Sequence, residues 1–72
     1  MANDEFLTEM QDVLQTEENL SMDTVLADLE EWDSLSVMAT MAFLEKNFGV
    51  KTVMKDYKEM STIGDIAKKA GL

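Results

Sequence analysis

Apolar residues return at helical spacing at the start of the chain: Phe6, Leu7, Met10, Val13 and Leu14 lie on one side of a 3.6-residue period. This predicts a first helix with Asn3 or Asp4 as its N-cap and an end near Thr16. From Glu17 to Asp33 the pattern breaks. Leu20, Val25, Leu26 and Leu29 keep no period, so this stretch of about seventeen residues reads as a long loop of the kind that is functional or holds a short helical turn. A second helix follows from Ser34 to Phe48, with Gly49 where a left-handed cap is wanted and Val50 as its apolar companion. Val53, Tyr57 and Met60 suggest a short helix over 54–59. Thr62 and Asp65 form a capping-box pair that opens a last helix with Ile63, Ile66, Ala67 and Ala70 on one face. There is no alternating run, hairpin dipeptide or proline, so no strand is expected. The expected fold is all-α, a four-helix bundle of three longer helices and a short one.

The second helix is more apolar than a single buried face requires. Val37, Met41, Leu44 and Phe48 make one stripe, predicted as core, and Leu35, Met38 and Ala42, with Ala39 beside them, make another. Either the helix is covered on two sides, or the second stripe is an exposed docking surface. The flexible thioether of Met38 suits the latter.

Composition narrows the function. Seventy-two residues make one domain, expected to span 1–72, with a thin core and little room for a deep active site. With no cysteine and no histidine, disulfides, thiolate metal sites and the commonest general base are absent. Independent catalysis and a resident metal are therefore not expected. The N-terminus lacks the basic start and apolar run of a signal peptide, and no segment reaches the ~18–20 apolar residues of a membrane span; the cytoplasm is the expected compartment. Charge is uneven: residues 1–45 hold twelve carboxylates and no basic side chain, and residues 46–72 hold three carboxylates and six lysines, so −12 and +3 give the net −9. Such a chain repels nucleic acid and anionic membrane, and its acidic half is expected to repel itself. A basic patch on another protein is its natural complement, although acidity also maintains solubility.

Trp32-Asp33-Ser34-Leu35 stands at the head of the second helix. Asp and Ser there are first of all capping residues, and a carboxylate suits the helix dipole. Ser34 has neither the flanking glycines of a nucleophile elbow nor a histidine to activate it, so it is no hydrolase nucleophile. Read together, Glu31-Trp32-Asp33-Ser34-Leu35, Leu44-Glu45, Phe48-Gly49-Val50 and Thr62-Ile63-Gly64-Asp65 resemble the acyl carrier protein family in order and spacing, from Phe6 to Ala70. The resemblance implies a carrier in place of an enzyme. A phosphopantetheinyl transferase would move 4′-phosphopantetheine from coenzyme A onto the Ser34 hydroxyl, and the arm's thiol would hold acyl groups as thioesters for acyl-loading and acyl-processing enzymes. It gives Asp33 two roles, capping the helix and helping to place Mg²⁺ during the transfer. It puts Leu35, Met38, Ala39 and Ala42 on the docking surface of a monomer that binds neither nucleic acid nor membrane.

The chain also departs from that family. Carriers of fatty acid synthesis surround the serine with acidic helix-two positions; here Ser36 and Ala39 occupy two of them, and Lys46 follows the remaining Glu45. The third-helix region reads Met54-Lys55-Asp56-Tyr57-Lys58, and Trp32 is more like carriers of specialised pathways. These differences favour a dedicated, polyketide-like pathway over fatty acid biosynthesis. The alternatives are an aminoacyl or peptidyl carrier, with the same Ser34 chemistry, and an unmodified acidic helical adaptor. An EF-hand loop is ruled out, since no stretch supplies its alternating oxygen ligands and glycine.

Overall fold

The computed structural model describes residues 1–72 and contains four α-helices: α1 (Asn3–Leu14), α2 (Ser34–Phe48), α3 (Met54–Lys58) and α4 (Ile63–Ala70), with a single 3-10 turn at Leu26–Asp28 in the long connection. The only strand-like pairing is an isolated bridge between Val25 and Thr62. The bundle of three longer helices and a short one is the expected architecture. No helix is long and apolar enough to cross a membrane.

α1 buries Phe6, Met10 and Leu14, one residue per turn along a single row. Its N-cap is Ala2, not Asn3 or Asp4, which lie within the first turn. Ala2 has no acceptor of its own, and the entry is held by Glu5, whose Oε1 accepts from the Ala2 amide at 3.4 Å. The helix ends at Gln15 in the left-handed region (φ 54°), with the Thr16 amide reaching back to the Gln11 carbonyl at 3.1 Å.

The buried face of α2 is rotated from the predicted one. Ser36, Val37, Thr40, Phe43 and Leu44 are buried, while Met41 and Phe48 are half-buried at its edge. Two effects cause the rotation. The rings of Phe43, Phe6 and Phe48 form a mutually packed triangle with centroids 5.9–6.2 Å apart, which draws that side of α2 against α1. Thr40 tolerates complete burial because its hydroxyl donates to the Ser36 carbonyl at 2.8 Å. Gly49 takes the left-handed cap (φ 67°) as expected.

The long connection is tied down by backbone hydrogen bonds to the start of α4. The Leu26 amide donates to the Ser61 carbonyl (2.9 Å), the Ile63 amide to Thr24 (3.0 Å) and the Gly64 amide to Met22 (2.7 Å). Leu26 and Leu29 are buried beneath it, and Gly64 is needed because a Cβ there would stand 2.8 Å from the Met22 carbonyl oxygen. α3 is held by its buried Tyr57, whose hydroxyl lies 2.8 Å from Thr52 Oγ1 and whose ring packs 6.2 Å from that of Trp32. Burial pushes the Tyr57 phenol above its ordinary pKa despite the hydrogen bond to Thr52, so it is neutral at physiological pH.

Candidate functional site

The start of α2 is fixed by a reciprocal pair one turn apart. Asp33, the N-cap, accepts the Ser36 amide on Oδ1 at 2.9 Å. The Ser36 hydroxyl in turn accepts the Asp33 amide at 2.8 Å and donates to the Asp33 carbonyl at 3.0 Å. The Ser36 amide first, with smaller contributions from the Ser36 hydroxyl and the Leu35 amide, holds the Asp33 carboxyl below the usual carboxylate range. Ser36 is therefore a buried capping residue and not, as its sequence position suggested, a vacant docking position. The signal was present as an Asp-x-x-Ser spacing, the reverse of the Thr-x-x-Asp that opens α4.

Ser34 sits between the two members of that pair, at the first position of α2, exposed and outside their hydrogen bonds. The backbone carbonyls leave the Ser34 and Leu35 amides free, the first intrahelical bond being from Val37 to the Asp33 carbonyl at 2.9 Å. A hydroxyl thus stands in solvent at a helix N-terminus, beside amides that no backbone carbonyl takes and at the positive end of the dipole, an environment that suits a phosphodiester. The Asp33 Oδ1 is committed to the cap, which leaves its second oxygen for one cation contact; no group of three or more carboxylates comes together to hold a metal by itself. The arrangement offers an acceptor hydroxyl and no general base.

The second stripe of α2 is exposed. Leu35 retains 77% and Met38 58% of their accessible surface, and Ala39 and Ala42 are also exposed, so α2 is not covered on two sides. The sequence alone pointed to neither of two further features beside Ser34. Trp32 leans on Tyr57 and so ties the residue two before Ser34 to α3. Between the last turn of α1 and the first of α2 lies a cleft of about 360 Å³, bordered by Val13, Leu14, Glu31, Leu35 and Ala39. Glu31 Oε1 is buried without a hydrogen-bond partner, an unfavourable placement for a carboxylate.

Residues 4–69 match the phosphopantetheine attachment site family. The fold is similar to that of the holo acyl carrier protein of Geobacter metallireducens, determined in solution by NMR: TM-score 0.75, 25% identity, 94% of this chain and 79% of that one covered. No curated protein matches the sequence significantly.

Proposed function

Because the chain belongs to the phosphopantetheine attachment family, and so is a carrier with a covalent 4′-phosphopantetheine arm and not an enzyme, we propose that Ser34 is the residue that bears the arm. The observation that carries this is the position of its hydroxyl, exposed at the head of α2 and left out of the capping pair on either side. In the transfer, a phosphopantetheinyl transferase joins the phosphate of coenzyme A's pantetheine half to Ser34 Oγ. The pyrophosphate bond to the adenine nucleotide breaks, and the hydroxyl proton leaves to a base on the transferase. Asp33 would offer one carboxylate oxygen to the Mg²⁺ that such a transfer uses, and the helix N-terminus at Ser34 would suit the negative charge of the phosphodiester. The arm then supplies thioester chemistry through its terminal thiol.

Carriers of this family meet the transferase and acyl-processing enzymes, and the exposed Leu35, Met38, Ala39 and Ala42 are the surface we assign to those encounters. The chain acts as a monomer, since self-association through that row would occlude it. A dedicated pathway fits better than general fatty acid synthesis, because Ala39 stands on the exposed face where a carboxylate would meet basic synthase enzymes, and Lys46 follows the one carboxylate that remains there, Glu45. Ala39→Glu should accordingly improve recognition by fatty acid synthase enzymes, read as loading rate.

Intact mass after incubation with coenzyme A and a broad-specificity phosphopantetheinyl transferase tests the attachment. The wild-type chain gains the mass of the arm, and Ser34→Ala does not, with its melting temperature almost unchanged because Asp33 and Ser36 make the cap. Gain of the arm by Ser34→Ala would place the attachment elsewhere.

A further inference from the structure

We propose that the cleft between the last turn of α1 and the first turn of α2 is a resting groove for the phosphopantetheine arm, in which Glu31 accepts a hydrogen bond from one of the arm's amides. This rests on the reading of Ser34 as the attachment residue and adds where the arm lies when no enzyme holds it.

Of the three main clefts in the surface, one suits the arm. The acidic cleft of the long connection has no apolar wall, and a third, which includes Leu7 and Leu20, opens toward the start of α1. The cleft between α1 and α2 is bordered by Asp33 and Leu35, the residues on either side of Ser34. Its volume of about 360 Å³ lies near the lower end of the ~300–1,000 Å³ typical of small-molecule sites, which suits a slender arm better than a bulky cargo. Val13, Leu14, Leu35 and Ala39 give it apolar walls for the arm's paired methyl groups and methylenes.

The polar groups of the cleft single out one contact. The Ser36 hydroxyl and Asp33 Oδ1 are taken by the cap, and Gln15 is exposed. Glu31 Oε1 is buried without a partner. A carboxylate oxygen accepts and cannot donate, so it calls for an N–H or O–H, and the arm carries both. Carboxylates at 31 and 33 disfavour phosphate inside the cleft, which keeps that end at the head of α2 and turns the neutral part of the arm inward. Towards α3 the arm meets no such partner: Trp32 packs on Tyr57, whose hydroxyl is engaged with Thr52, and Val53 and Met54 stand out in solvent.

Tethering makes a weak contact sufficient. A group attached beside its site acts at an effective concentration in the ~mM range, so contacts too weak to hold free pantetheine still favour the groove. Leu35 and Ala39 belong both to the groove and to the docking row, so an enzyme seated on that row would displace the arm from its resting place.

The test compares the chain with and without the arm by NMR, using isotope-labelled protein and an unlabelled arm. Attachment should shift the amides of Val13, Gln15, Glu31 and Ala39, and filtered NOEs should join the arm's paired methyls to those of Val13 and Ala39. Because Glu31 Oε1 has no partner in the chain, Glu31→Ala should fold as wild type does. In that variant the arm-induced shifts at Val13 and Gln15 should be largely lost, whereas Glu31→Gln, which keeps an acceptor, should retain them. NOEs from the arm to Tyr57 or Met54 in place of Val13, no arm-induced shift on α1, or equal shifts in wild type and Glu31→Ala would overturn the proposal. The attachment reading is judged separately, by mass: an arm gained at Ser34 that makes no contact with α1 refutes the groove alone.

Discussion

α2 and α4 begin with the same device used to opposite ends. Each has a capping pair three residues apart, Asp33 with Ser36 and Thr62 with Asp65, the acid and the hydroxyl exchanged. At α4 the position after the cap is Ile63, fully buried, and the next is Gly64, closed over by the Met22 carbonyl; the Ile63 and Gly64 amides are taken by the long connection. At α2 the equivalent residues are Ser34 and Leu35, both exposed, with their amides free of any backbone carbonyl. One helix start is a structural joint and the other is left open. What distinguishes them is whether a distant segment covers the first turn, and the chemistry proposed at Ser34 depends on that difference.

Substitution at equivalent positions can break the comparison. Ile63→Ala should cost roughly 2–5 kcal/mol, as emptying a core site does, whereas Ser34→Ala should stay within about 0.5 kcal/mol because the cap persists without it. Chemical denaturation of both variants measures this. Similar losses would mean that Ser34 is structural and the two starts are alike. One residue on, Gly64→Ala brings a methyl against a backbone carbonyl, which must retreat and release the Gly64 amide. Overpacking of this kind costs about 1–3 kcal/mol, and the better helix propensity of alanine returns at most about 1, so a net loss of about 1–2 is expected. Leu35→Ala should change stability by no more than about 0.5 kcal/mol. A Gly64→Ala variant as stable as wild type would show that the connection gives way easily.

Much of this asymmetry was legible in the sequence, and the missing part has a physical cause. The limits of α2 could be read because Asp33 and Gly49 punctuate them locally, and the extra apolar stripe of Leu35 and Met38 correctly hinted at exposure. The cap of α1 could not be read from side-chain type, since Ala2 carries no acceptor and Glu5 supplies the bond from within the helix. The burial of Ser36 and Thr40 was hidden because both satisfy their hydroxyls on the helix's own backbone, an option that hydropathy does not register. The covering of α4 is a contact between segments about forty residues apart, Met22–Leu26 against Ser61–Gly64, made by main-chain groups that every sequence possesses.

Acid sharpens the comparison with a smaller effect. The Ser61 and then the Thr62 amide hold the Asp65 carboxyl below the usual range, as the Ser36 amide does for Asp33. A carboxyl whose folded pKa is depressed contributes stability above its unfolded value, about 3.9, and loses it as pH falls through the folded value. Melting temperature should therefore drop as pH is lowered from about 4, and the drop should be shallower in Asp65→Asn and in Asp33→Asn. The change should be larger for Asp65, because its Oδ2 also fixes the Ser61 and Thr62 amides, at 2.7 and 3.0 Å, where the connection docks. Identical acid limbs in wild type and both variants would mean that neither cap depends on ionisation.

The smallest expected effect is that of salt at neutral pH, and it separates the two regions by charge. The cleft of about 740 Å³ lined by Gln15, Thr16 and the five carboxylates of the long connection contains no apolar residue, so like charges face each other across water. Repulsion there opposes the same connection that covers α4, while the first turn of α2 holds no carboxylate beyond its N-cap Asp33. Screening over about 8–10 Å should relieve it, so sodium chloride at about 0.2 M, or millimolar Mg²⁺, should raise the melting temperature. For a domain of this size 1 kcal/mol corresponds to about 4–8 °C, and a gain of a few degrees is expected. Glu31→Gln removes one of these charges, the one with a buried, unpartnered oxygen, and should reproduce part of the gain without salt. A melting temperature that ignores salt, or falls with it, would mean that the six lysines of the C-terminal part already balance the connection.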